Sequence, residues 1–454
     1  MTEQVDVVVL GLGPGGEEVA GKLAEAGLSV VGVEGKLVGG ECPYWGCVPS
    51  KMMIRAGNLL AEARRIPGMA GQSEVHPDWA PVAARIRDEA TDDWNDQVAV
   101  DRLVGRGGRF VRGWGRLAGP GRVAVGDQTF DARRGVVIST GTAATIPPID
   151  GLAGTPYWTN REAIETKELP GSLLVLGGGA VGLELAQVFA RFGVQVTVIE
   201  ALDRLLAVEE PQSSALAARA LTADGVAVVT GAAVRRVAHD GNVFTMTLAD
   251  GGTHRGQRLL VATGRRPDLP TLGVDTVGLD PSARAVQVDE RMWAGERLWA
   301  VGDVTGRGAF THVAMYQAGM AVRDILGQPG PPADYRALPR VTFTDPEIAA
   351  VGLTEAQARA EGIRVHIGTA QVPSTARGWI HKAGNDGFIK LVADADRGVL
   401  IGATSAGPAG GEVLGALAVA VHGQLPLDRL RHMIYAYPTF HRGIEDALRT
   451  LGGA

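Results

Sequence analysis

One local pattern occurs twice in this chain, and the repetition limits the fold more than any other feature. An apolar run at 5–10 leads into Gly11-Leu-Gly13-Pro-Gly-Gly16, a helical stretch, and a second apolar run ending in Glu34. The run at 173–176 leads into Gly177-Gly-Gly179-Ala-Val-Gly182, another helical stretch, and a run ending in Glu200. Each acid follows the first glycine of its copy by 23 positions. A lone glycine-rich turn is weak evidence. Two copies, each between a strand and a helix and each reaching an acid at the spacing of a ribose 2′-hydroxyl, point to two dinucleotide sites. The first glycine permits the tight turn, the second lets backbone approach a pyrophosphate, and the third lets helix pack on strand. The helix N-terminus presents free N–H groups to the anion.

Length and turn chemistry set the organisation around these copies. The 454 residues allow about three domains of roughly 150 residues each. The expected fold class is α/β, with two Rossmann-like dinucleotide-binding domains and a C-terminal α+β domain. Turn residues cluster near Pro147 and again from Pro267 to Pro270, and 327–333 reads as a linker. The expected domains are therefore 1–148, 149–268, a central region 269–332, and 333–454. Each copy later reaches a strand ending in Thr-Gly, which adds Gly141 and Gly264 to the candidate cofactor-binding glycines. From Pro339 onward, alternating runs with helices near 354–361, 411–422 and 439–450 predict an antiparallel sheet carrying helices.

Composition excludes several functions. The 64 glycines, about twice the usual 7%, fit many tight turns and close backbone approaches to ligand. With 44 basic and 50 acidic residues the net charge is -6, which offers no footprint for nucleic acid or an anionic membrane surface. The longest apolar stretch, 413–421, is far below the roughly 20 residues of a membrane span. The start runs straight into a strand without a basic or long apolar leader, so a cytoplasmic location is expected. Two cysteines are too few for a disulfide scaffold or a four-cysteine zinc centre, and no metal site is expected.

Those cysteines lie in Gly39-Gly-Glu-Cys42-Pro-Tyr-Trp-Gly-Cys47-Val-Pro-Ser-Lys51. Two readings stand beside each other: a redox pair, or two reduced structural thiols. In an unbroken helix a five-residue separation advances about 7.5 Å, beyond the roughly 7 Å limit for a disulfide. A bond would require a distorted turn, which Pro43 and Gly46 permit. A helix N-terminus at the second cysteine would also stabilise a thiolate.

With this segment the chain resembles the pyridine nucleotide-disulfide oxidoreductases, the family of dihydrolipoamide dehydrogenase and mercuric reductase. The likeness runs through GLGPGG, GGECPYWGCVPSK, ISTG, GGGAVGLELA, ATGRRP, AVGDVTG and PRVTFTDPEIAAVGLTE in that order. It implies a homodimer with an FAD domain, an NAD(P) domain, a central region completing the FAD site, and a C-terminal dimerisation domain. By this resemblance Gly11, Gly13, Gly16, Glu34 and Asp303 bind FAD, and Gly177, Gly179, Gly182 and Glu200 bind the nicotinamide cofactor. It further implies a Cys42–Cys47 redox disulfide, with Cys47 against the flavin and Cys42 as the interchange thiol. Lys51 and Glu184 match a pair near the flavin N5, where a cation stabilises the reduced, anionic flavin. Glu200 favours NAD(H) over NADP(H), because a carboxylate repels a 2′-phosphate. Arg204, one turn on, is not read as a phosphate clamp.

One departure from the family bears on the acceptor. Disulfide-reducing members carry a C-terminal histidine base oriented by a glutamate; here Tyr437 and Arg442 occupy those positions. A phenol with a pKa near 10 is a poor base at neutral pH. His441 and Glu445, four apart on an expected helix, offer a shifted dyad. His312 is a candidate contact to flavin or substrate. Tyr44, Trp45, Tyr435 and Tyr437 together suggest a flat, apolar acceptor pocket. The expected function is transfer from reduced nicotinamide through flavin to Cys42–Cys47 and on to a small-molecule acceptor other than lipoamide. Alternatives are direct reduction of a quinone or metal ion by the flavin, and a non-turnover redox-sensing flavoprotein.

Overall fold

The computed structural model describes residues 2–452 and contains two compact units. One gathers the chain up to Pro49 with Ala83–Thr145 and Gly264–Asp334; the other gathers Ser50–Val82, Ile146–Thr263 and the chain from Tyr335 on.

The first unit is built on the sheet that the first repeat begins. Its strand Thr2–Leu10 is central, parallel to Val30–Glu34 on one side and to Gln128–Ile138 on the other. Arg109–Arg112 extends one edge in parallel, and Leu298–Ala300 extends the other. Val7, Val8, Val9 and Leu10 are fully buried, as expected of parallel strands covered on both faces. The strand order reverses between Thr2–Leu10 and Gln128–Ile138, and open α/β sheets bind ligands at such a switch point.

In the second unit the same order recurs. Ser172–Leu176 lies between Gln195–Ile199 and Arg258–Val261, with Ala227–Val229 outside Gln195–Ile199, all parallel. The sequence repeat is thus a repeat of topology.

The C-terminal part is the expected antiparallel sheet: Pro339–Thr342, Glu347–Gly352, Val399–Gly407, Phe388–Asp394 and Val365–Gln371, in that spatial order. The helix Gly410–His422 buries Val413, Leu414, Leu417 and Val421 in a core shared with Ile389, Leu391 and Ala403. The last helix, Gly443–Arg449, begins four residues later than the sequence pattern indicates. Pro438 precedes a turn in which the Thr439 hydroxyl donates to the Ala436 carbonyl and accepts from Arg442 N–H, so 439–442 close a turn instead of opening the helix. Among the described residues, no helix is long and apolar enough to cross a membrane.

Candidate functional site

The two glycine turns have the same construction. Gly11 has φ +88° and Gly177 +113°, and a Cβ at either would lie 2.4 or 2.5 Å from the carbonyl oxygen of Ser139 or Ala262. A Cβ at Gly16 or Gly182 would meet the carbonyl oxygen of Gly11 or Gly177 at 2.0 or 2.4 Å. Internal packing therefore requires the first and third glycines. The middle ones differ. Gly13 and Gly179 have ordinary φ values of -65° and -85°, and a Cβ there would meet no protein atom within 4 Å. Nothing in the chain itself demands glycine at these positions, whereas a ligand approaching the N-termini of Pro14–Glu25 and Ala180–Arg191 would.

The two acids repeat each other as well. Glu34 accepts from Leu12 N–H at 2.9 Å and Lys36 N–H at 2.7 Å. Glu200 accepts from Gly178 N–H at 2.6 Å and Leu202 N–H at 2.8 Å. Each carboxylate is fixed beside its glycine turn as an acceptor-only group, suited to ribose hydroxyls. Arg204 donates to the Glu209 and Ala207 carbonyls and to the Ser214 hydroxyl, which commits its guanidinium to the protein. Both turns fit dinucleotides. The closing glycines Gly141 and Gly264 have φ +64° and +116°, and Gly264 O accepts from Thr145 N–H.

The cysteines lie on two separate helical segments. Glu41–Tyr44 ends at Trp45, and a new helix, Cys47–Arg64, starts at the second cysteine. The break avoids the separation that one continuous helix would impose. The two are not bridged, and the Cys42 thiol hydrogen-bonds with Cys47. The hydrogen bond to Cys47, then burial, push the Cys42 thiol well above its ordinary range, while Thr311 acts against them. Cys47 occupies the helix N-terminus, with its sulfur 3.4 Å from the Thr311 hydroxyl. Thr311 has no signal in sequence, since 264 positions separate it from Cys47.

Asp303 follows Gly302, whose φ of +82° and N–H bond to Gln317 Oε1 fix the turn. Its carboxylate accepts from the Thr142 hydroxyl at 3.1 Å. Burial raises its pKa, opposed by Thr142 and Arg265. Arg265 donates to Thr142 Oγ1 and O, and lies 3.6 Å from Glu41, the residue before Cys42. Sequence reasoning assigned Thr142, Arg265 and Glu41 no role.

In the second unit, Lys51 Nζ lies 2.7 Å from Glu184 Oε2. Glu184 is buried, and its Oε1 accepts from Phe343 N–H at 2.8 Å. The Phe343 ring centroid is 4.5 Å from Lys51 Nζ, a cation–π distance. Phe343 stands inside a motif visible in the sequence, but nothing there shows that it touches both partners.

The C-terminal expectations need correction. His441 precedes the helix Gly443–Arg449 and makes no hydrogen bond to Glu445. Arg442, at 3.1 Å, and Arg449 hold the Glu445 carboxylate instead. The shifted dyad is not formed. Of the four aromatics expected at the acceptor, Tyr44, Trp45 and Tyr435 are buried. Tyr435 donates its hydroxyl to the Leu430 carbonyl, and burial raises its pKa. Tyr437 is the exception, 68% exposed, with the Arg442 guanidinium 5.3 Å from its ring. His312 is exposed on Thr311–Ile325, its ring stacked on Phe310.

The family model described as pyridine nucleotide-disulphide oxidoreductase matches residues 5–318, and that family's dimerisation domain matches 338–448. A mercuric reductase of Streptomyces lividans is 36% identical, covering 98% of this chain and 96% of its own. A dihydrolipoyl dehydrogenase of Halobacterium salinarum is 34% identical, covering 99% and 97%. Among solved structures, the Cu(II) complex of the HOCl-induced flavoprotein disulfide reductase RclA from Escherichia coli superposes with a TM-score of 0.86 at 26% identity, covering 98% and 99%.

Proposed function

Since this chain belongs to the pyridine nucleotide-disulfide oxidoreductase family and is a flavin-dependent disulfide oxidoreductase, we propose that it draws electrons from NADH and delivers them, through Cys42 and Cys47, to an acceptor other than lipoamide. Gly11, Gly13, Gly16, Glu34, Gly141 and Asp303 would hold FAD. Gly177, Gly179, Gly182, Glu200 and Gly264 would hold the nicotinamide cofactor. The bound flavin supplies two-electron transfer between nicotinamide and the cysteine pair. In the reduced pair, Cys42 keeps its proton and donates to Cys47, which the helix N-terminus favours as thiolate. Lys51, held by Glu184 and Phe343, supplies a fixed positive charge. The dimerisation domain supports a homodimer of domains 1–148, 149–268, 269–332 and 333–454.

The C-terminal segment carries the reading of the acceptor. Tyr437 and Arg442 replace the family's base and its orienting acid, and His441 lacks Glu445 as a partner. A dithiol substrate needs a base to move protons at Cys42, and a positioned base contributes about 10²–10⁴-fold. A quinone that takes its electrons directly from the flavin, the alternative route, does not make that demand of Cys42. It takes two electrons and two protons; NADH gives two electrons and one proton, and solvent gives the second. The test is to measure NADH-dependent turnover of the native holoenzyme with dihydrolipoamide's oxidised partner lipoamide and with a naphthoquinone. The reading expects a much larger kcat/KM for the quinone, and efficient lipoamide turnover would overturn it.

A further inference from the structure

Glu200 is fixed beside the second glycine turn, and the segment that follows it, residues 201–210, has no regular structure of its own. Its middle is fitted to that turn. Leu206 N–H donates to the Gly178 carbonyl at 2.9 Å, and a Cβ at Gly178 would lie 2.6 Å from the buried Leu205 side chain. The fit places Leu206 at φ +47°, a left-handed backbone that a bulky residue adopts only where its surroundings impose it. Arg204 ties this stretch to the far end by donating to the Ala207 and Glu209 carbonyls.

Two adjacent acids fix that far end. The Glu209 carboxylate accepts two bonds from Arg340, at 2.6 and 2.9 Å, the bidentate form of such a contact. Glu210 accepts from Lys390 Nζ at 2.8 Å and, through its other oxygen, from Glu355 N–H at 2.7 Å. Lys390 also lies 2.8 Å from Glu355 Oε2. Arg340 and Lys390 stand on the strands Pro339–Thr342 and Phe388–Asp394 of the antiparallel sheet. The Glu210 and Lys390 side chains are each 3% exposed. Taking such charges out of water can cost as much as their attraction returns, so a buried ion pair is a poor source of stability and is better understood as a source of geometry. Glu210 stands at the N-cap of Pro211–Ala223, yet its side chain does not cap that helix. Both carboxylates are committed to the sheet instead.

We propose that Arg340 and Lys390 are positioning residues for the nicotinamide cofactor: the antiparallel sheet holds residues 201–210 in the conformation that keeps Glu200 and the turn at Gly177–Gly182 shaped for the cofactor's ribose and pyrophosphate. This rests on the assignment of Glu200 and its glycine turn to that cofactor. Each residue acts through Glu209 or Glu210 and needs no contact with the cofactor itself. With an anchor lost, the strained backbone at Leu206 relaxes and the segment leaves the turn.

The test titrates NAD⁺ into the oxidised holoenzyme by calorimetry, where no electron transfer accompanies binding. Arg340→Ala should raise Kd at least about five-fold, the lower end of the coupling between linked sites. Arg340→Lys, which keeps the charge but not the planar fork, should recover part of the loss. Glu209→Gln removes the charge at nearly constant volume and should weaken NAD⁺ in the same direction, even where Arg340→Ala does not fold. Lys390→Met combined with Glu210→Gln removes the second anchor without stranding a buried carboxylate at 210, and should do the same. At saturating NADH, kcat of Arg340→Ala should stay within about two-fold, which puts the loss in KM. The control for general loosening is Val413→Ala, since Val413 packs with Ile389 and Leu391, on the face of the strand opposite Lys390. That variant should lower the urea midpoint and leave Kd within about two-fold. A native-like Kd in the variants of either anchor would overturn the role of that anchor, and an equal loss in Val413→Ala would overturn both. If the native protein binds NADP⁺ and not NAD⁺, the reading of NADH as donor fails, and the same variants titrated with NADP⁺ decide the positioning role by the same outcomes. Binding of neither to the native protein would refute it.

Discussion

The Lys51 ammonium lies 2.7 Å from Glu184 Oε2, and Phe343 touches both partners, by its N–H on one side and its ring on the other. This is no solvated helix-surface pair, because the Glu184 side chain is 8% exposed while that of Lys51 remains 35% exposed. Glu184→Leu strips an acceptor from a backbone N–H and a cation together and should cost about 2–3 kcal/mol. The exposed Arg85–Glu89 pair provides the contrast, since solvent screens it and Glu89→Ala should leave stability nearly unchanged. Urea midpoints of the holoenzyme at constant m would measure both. Similar midpoints for the two variants would refute the distinction.

The contact between Cys42 and Cys47 predicts a redox-active pair. Anaerobic reduction by one equivalent of NADH should produce a thiolate-to-flavin charge-transfer absorbance, abolished by Cys47→Ser and retained or strengthened in Cys42→Ser. An unchanged band in Cys47→Ser would assign the thiolate to the wrong residue.

The raised Cys42 pKa gives a pH dependence of definite sign. Above the ordinary thiol value near 8.5, the folded reduced chain keeps a proton that the unfolded chain has released. The contribution is intact below that pH and is lost as pH rises toward the raised value. Ultraviolet thiolate absorbance of the reduced protein at about pH 9.5 should count one thiolate when folded and nearly two after unfolding in denaturant. Two in the folded protein would contradict the assignment.

Glu200 and Arg204 predict cofactor preference. Glu200 is fixed by two backbone N–H groups and Arg204 is occupied by carbonyls, so a 2′-phosphate meets a carboxylate and no free guanidinium. NADH should have the larger kcat/KM, and Glu200→Ala should narrow the gap while raising KM for NADH. A native preference for NADPH would reverse this reading.

Restoring the dyad tests the C-terminal departure. Tyr437→His combined with Arg442→Glu should raise lipoamide turnover by at least about ten-fold, given what a positioned base contributes. Quinone turnover should not gain. His441→Ala in the native protein should leave lipoamide activity at its low level. A large loss there would show that His441 acts without Glu445.

The repeated glycine turns were legible in sequence because their physics is local. A positive φ at Gly11 and Gly177 and the close approaches at Gly16 and Gly182 are satisfied within a few residues of each turn and one neighbouring strand. The apolar runs beside them determine a parallel sheet for the same reason, since burial on both faces leaves no alternation to read. The Cys42–Cys47 segment was legible as a pair, but only the break between Glu41–Tyr44 and Cys47–Arg64 brings the thiols into contact. Tertiary structure alone decided the partners that come from far along the chain: Thr311 beside Cys47, Phe343 against Lys51 and Glu184, and Arg265 beside Asp303 and Glu41. It also overruled the His441–Glu445 spacing. Four residues share a face only if both stand on one helix, and the turn held by Thr439 leaves His441 outside it and gives Glu445 to two arginines.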